Sequence, residues 1–119
     1  MCDSERAPKL SFPATIQVGG VVYQVIYPYV FIERSDLAGQ SCHRTNVIRL
    51  GYQYEKTGEV FASETIVQTF WHEVLHCIDV VYNADNLEDD TVERLSQGLY
   101  QVLKGLGLSL LKPEREREP

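Results

Sequence analysis

The chain has 119 residues, 44% of them hydrophobic and 24% charged, the balance of an ordinary globular domain. That excludes collagen-like, low-complexity and fully disordered chains, and no apolar run is long enough to span a bilayer. With 11 basic against 17 acidic residues the net charge is −6, so phosphate contacts gain little and neither nucleic acid nor a membrane is an expected partner.

Met1-Cys2-Asp3-Ser4-Glu5-Arg6 is charged and no apolar stretch follows it, which predicts no signal peptide and a cytoplasmic location. Cys2, Cys42 and Cys77 are scattered. They form neither a disulfide framework nor a CxxC zinc pair, and they fit a reducing compartment. Residues 1–11 read as a polar, frayed lead-in. Thr15–Val18 and Val21–Tyr27 are β-rich runs joined by Gly19-Gly20, which predicts a hairpin. Pro28 is expected to end or bend the second strand. After a loop at 33–39, a second hairpin is expected from Gly39–Cys42 and Val47–Leu50 around a turn at His43–Asn46. Residues 51–62 read as a polar connection.

The pattern changes at Ser63, which suits a helix N-cap, with Glu64 favouring the positive end of the dipole. At about 100° per residue, Ile66, Val67, Phe70, Trp71, Val74, Leu75, Ile78 and Val81 share one half of a helix over 64–81. His72, Glu73, His76 and Asp79 fall on the other half. A polar stretch over 83–90 leads to a second predicted helix over 91–104, with Val92, Leu95, Leu99, Val102, Leu103 and Leu106 as its apolar stripe. Gly105 and Gly107 are its expected stops. The elements give an α+β chain: one domain over 1–111 and a charged, disordered tail over 112–119.

His72-Glu73-Val74-Leu75-His76 is an HExxH pattern inside a predicted helix. Residues i and i+4 share a helix face, so two imidazoles can reach one metal ion, and the intervening Glu lies where a metal-activated water would sit. The metal would polarise a carbonyl and lower the pKa of the water that Glu73 deprotonates. The competing reading is a pair of surface histidines on an amphipathic helix.

A zinc site needs a third protein ligand. Upstream there is only His43. Downstream lie Asp79, Asp85, Glu88, Asp89, Asp90 and Glu93. Asp79 is one turn beyond His76 and suits a supporting hydrogen bond to an imidazole better than ligation. Glu93 opens the next helix and can face the pair if that helix folds back. It also completes a capping box, Asp90-Thr91-Val92-Glu93. Cys77 points to the apolar side and reads as buried packing. Tyr100 and His43 are candidates for stabilising an oxyanion, against plainer readings as a packing residue and a solvated turn residue. Val47–Leu50 would accept an extended peptide if it were a sheet edge.

His72–His76 followed by Glu93-Arg94-Leu95-Ser96-Gln97-Gly98-Leu99 resembles the small HExxH proteins of phages and prophages, described as metallopeptidases. The likeness extends upstream through the Gly-Gly hairpin, Gly39-Gln40 and Ile48-Arg49-Leu50. Their wider relatives are compact gluzincin-type zinc peptidases. The resemblance implies zinc held by His72, His76 and Glu93, Glu73 as the general base, and a peptide or protein substrate. It also implies a small antiparallel sheet of two hairpins packed on the HExxH helix and a second, C-terminal helix. In the larger gluzincins an Asp four residues after the ligand Glu buttresses the first His; here Gln97 stands there. The alternative function is a non-catalytic, zinc-stabilised phage or prophage module that binds a protein. A weaker third reading is an α+β domain without metal.

Overall fold

The computed structural model describes residues 6–32 and 37–108. Residues 1–5, 33–36 and 109–119, the last including the assigned tail, lie outside the described residues.

Thr15–Val18 (β1) and Val21–Tyr29 (β2) pair antiparallel, with Val18 opposite Val21 and Thr15 opposite Gln24. Gly19 in their turn takes φ +59°, and a Cβ on it would lie 2.8 Å from Val81 Cγ1. Both facts call for glycine. Gly39–Cys42 (β3) and Val47–Gly51 (β4) form the second hairpin, with Gly39 opposite Leu50 and Cys42 opposite Val47. Both expected hairpins therefore form. They join through β2 and β4, which run parallel with Gln24 beside Val47 and Ile26 beside Arg49. The sheet order is β1-β2-β4-β3, so the sheet is mixed, not antiparallel throughout. Burial explains it. Ile48 and Leu50 of β4 are fully buried, and placing that strand inside, with the more polar β3 at the edge, forces β4 parallel to β2. Val47–Leu50 is accordingly an interior strand, and β1 and β3 are the edges. Pro28 lies within β2, where the register against β4 shifts between Ile26 and Tyr29.

Two helices follow, Ser63–Asn83 (α1) and Asp89–Gly105 (α2). Ser63 is the first helical residue of α1, and Ala62 holds the cap position without a side-chain hydrogen bond. α2 starts earlier than the 91–104 expectation, after Glu88, so the capping box around Glu93 does not form. Asp89 and Asp90 in its first turn suit the positive end of the dipole instead. The helices are antiparallel: His72 meets Glu93, His76 meets Asp89, and Glu64 pairs with Lys104.

The core lies between the sheet and α1. Val18, Tyr23, Ile48 and Leu50 pack on Phe70, Val74 and Cys77. A second cluster joins Ile66, Val67 and Tyr100 to Ala7, Leu10, Tyr52 and Phe61. Residues 6–11 are therefore packed, not frayed, and the 51–62 connection supplies two buried aromatics. On α2 the buried positions are Val92, Ser96 and Tyr100, while Leu95, Val102 and Leu106 are exposed. The expected stripe was too wide, because α2 covers α1 with one narrow i, i+4 ridge whose centre is the small Ser96. Among the described residues no helix is long and apolar enough to cross a membrane.

Candidate metal centre

His72 and His76 lie one turn apart on α1, and their Nε2 atoms are 3.1 Å from each other. Both side chains are about four-fifths buried (22% and 20% exposed). Burial and the neighbouring His72 hold the His76 pKa below its usual value, which keeps its imidazole neutral, the form that binds metals. His72 Nδ1 is buried without a hydrogen bond, although Glu93 Oε1 stands 2.9 Å away.

Glu93 reaches this point because α2 folds back. Its second oxygen accepts a 2.7 Å hydrogen bond from Gln97 Nε2. Gln97 thus braces the glutamate. Asp89, at the start of α2, places Oδ1 3.5 Å from His76 Nε2.

Glu73 is buried, although the helix wheel put it on the polar half. The edge strand covers it. A Cβ on Gly39 would lie 2.4 Å from Thr69 Cγ2 and 3.2 Å from Glu73 Oε2, so only glycine lets β3 come this close. Burial pushes the Glu73 pKa above the usual carboxylate range, against the opposing pull of a hydrogen bond with the Ser41 side chain and of His72. A cavity of about 260 Å³ opens here, lined by Gly39, Gln68, Thr69, His72, Glu73 and Glu93 among others. A larger apolar groove of about 790 Å³ runs along Phe70, Trp71, Val74 and Ile78 and touches none of these ionisable groups.

The other candidates fall elsewhere. Asp79 makes no hydrogen bond to an imidazole. It is buried and accepts from Asn83 Nδ2 (2.9 Å), Asn86 N (3.1 Å) and Leu87 N (3.1 Å). Burial alone would raise its pKa, but these hydrogen bonds outweigh that and hold it low. Its backbone oxygen also accepts from Asp85 N at 3.0 Å. Asp79 therefore staples the reversal that returns α2 to the histidines. Tyr100 is buried in the second core cluster and packs there. His43 is an exposed turn residue tied to the sheet, its Nδ1 3.0 Å from the buried Tyr23 hydroxyl. That hydroxyl is pushed up to about 12 by burial and by Cys77. Cys77 is fully buried, as expected.

Sequence reasoning missed Gly39, Ser41 and the bracing role of Gln97. For Asp79, which the sequence brought forward in another role, the signal was position: an acid in the last turns of a helix opposes the dipole and needs compensating donors.

Zinc bonds of about 2.0–2.2 Å in a tetrahedron put neighbouring donors about 3.3–3.6 Å apart. The Nε2 pair, at 3.1 Å, is close to that spacing. Two imidazole nitrogens facing each other, with two carboxylates beside the rings, are donor types that suit zinc. Among the described residues no three such side chains are already arranged to hold a metal. Asp89, however, is 93% exposed and free to change rotamer, and Glu93, 51% exposed, can do so by giving up its hydrogen bond with Gln97. The chain matches no protein-family model, no curated protein and no solved structure.

Proposed function

We propose that the protein is a zinc-dependent peptidase, akin to the small phage HExxH proteins it resembles. The observation that carries this reading is the His72–His76 pair, Nε2 to Nε2 at 3.1 Å, beside a buried glutamate under an edge strand. His72, His76 and Glu93 would hold the metal. Bound zinc supplies a Lewis acid that polarises the scissile carbonyl and acidifies water. Glu73, with its raised pKa, is a stronger base than an exposed carboxylate. It takes the proton of the attacking water and passes it to the leaving amine. The Ser41 side chain orients that carboxyl. The outer edge of β3, beside Glu73, can align an extended peptide by main-chain pairing.

The test is metal content measured beside cleavage of an unfolded protein substrate. One zinc per chain, lost in His76→Ala and Glu93→Ala, supports the site. No zinc uptake by the wild type overturns it.

A further inference from the structure

Asp89 and Glu93 are one turn apart on α2, as His72 and His76 are on α1. Because the helices are antiparallel, each carboxylate meets one imidazole. The two contacts differ in kind. Glu93 Oε1 approaches Nδ1 of His72, the nitrogen turned away from the other histidine. Asp89 Oδ1 approaches Nε2 of His76 at 3.5 Å, the nitrogen that already faces His72 Nε2 at 3.1 Å. Asp89 Oδ1 is thus separated from His76 Nε2 by the spacing expected between two ligands of one tetrahedral ion. The Asp89 side chain is 93% exposed, so no packing opposes its departure. Its neighbour Asp90 is committed to an ion pair with Arg94.

Resting on the zinc reading above, we propose that Asp89 is a fourth protein ligand, closing the metal site at rest and swinging out when substrate enters. Four protein ligands make a closed site, and one mobile ligand makes it reversibly open. Asp89 therefore governs both how tightly zinc is held and how readily the site accepts a carbonyl oxygen.

The experiment is zinc affinity, measured by chelator competition, for the full chain and for Asp89→Asn, Asp89→Ser, Asp90→Asn and His76→Ala. The visible spectrum of the cobalt(II)-loaded proteins, recorded against pH, accompanies it. Asp89→Asn and Asp89→Ser should each weaken zinc binding by about 10–100-fold, at least the range seen for groups that only support a ligand. Asp90→Asn should match the wild type. The cobalt spectrum of both Asp89 variants should gain a pH dependence near neutrality that the wild type lacks, from water entering the vacated position. Cleavage should rise at saturating zinc. Unchanged affinity in both Asp89 variants, with His76→Ala still losing the metal, overturns the fourth ligand and leaves the zinc site standing. Equal weakening by Asp90→Asn reduces the effect to general charge and also overturns it. If the wild type binds no zinc and His76→Ala behaves alike, this proposal and the peptidase reading fall together.

Discussion

α1 has two working seams, and they are built from opposite materials. Toward the sheet it presents Phe70, Val74 and Cys77, sealed against Val18, Tyr23, Ile48 and Leu50. Toward α2 it presents His72 and His76, partly open and faced by carboxylates. The buried hydroxyl of the apolar seam, that of Tyr23, is met by His43, and the seam holds the fold by burial. The seam toward α2 buries Val92, Ser96 and Tyr100 and holds ionisable groups close to one another. Glu73 sits between them, drawn under β3 by the absence of a side chain on Gly39. The comparison teaches that apolar packing and the ionisable cluster lie on different faces of one helix and are separable by substitution.

Glu73→Gln should give the largest change. Cleavage should fall by about 10²–10⁴-fold, the contribution of a general base, with zinc content and unfolding midpoint near wild type. Loss of zinc in that variant would make Glu73 a ligand and blur the two seams. Ile48→Ala makes the opposite cut. It should cost about 2–5 kcal/mol in denaturant unfolding, while the folded fraction still takes up one zinc.

Gly39→Ala tests the point where the seams meet. Its Cβ would collide with Thr69 Cγ2, which should cost about 1–3 kcal/mol as overpacking and lower cleavage by displacing β3 from Glu73. Thr69→Ser removes the offending methyl and should recover much of both. Failure of that rescue would mean that glycine is needed there for its backbone and not for space.

Asp79 belongs to neither seam but sets how α2 lies on α1. Its carboxyl is held below the ordinary value of 3.8. A depressed carboxylate pKa adds stability that is fully present above the unfolded value and fades as pH falls through the folded one. Acid unfolding of the wild type should therefore include an Asp79 contribution below about pH 4, absent in Asp79→Asn. That variant should be less stable at pH 7 and flatter at low pH, as read by circular dichroism. Arg94→Ala sets the floor of the series. It removes an exposed i, i+4 pair with Asp90 and should cost about 0.3–0.5 kcal/mol, with zinc affinity unmoved.

By itself the sequence determined the elements and the central motif. Gly-Gly between β-rich runs, the 3.6-residue period of α1 and the HExxH spacing are local patterns, and local sterics and periodicity decide them. It also brought Glu93 forward as a partner for the histidines, because a helix after a short connection folds back. Tertiary structure alone decided the rest. Sheet order followed from which strand had more apolar surface to bury, not from hairpin signals, so β4 went inside and β3 to the edge. Glu73 became buried because another element covers it, which a helix wheel cannot register. Tyr52, Phe61, Ala7 and Leu10 entered the core from segments with no period to reveal them. The pairing of Asp89 with His76 depended on the register of two antiparallel helices, set by the hydrogen bonds that Asp79 collects at their turn. Contacts of that kind join residues distant in the chain, and no local pattern encodes their geometry.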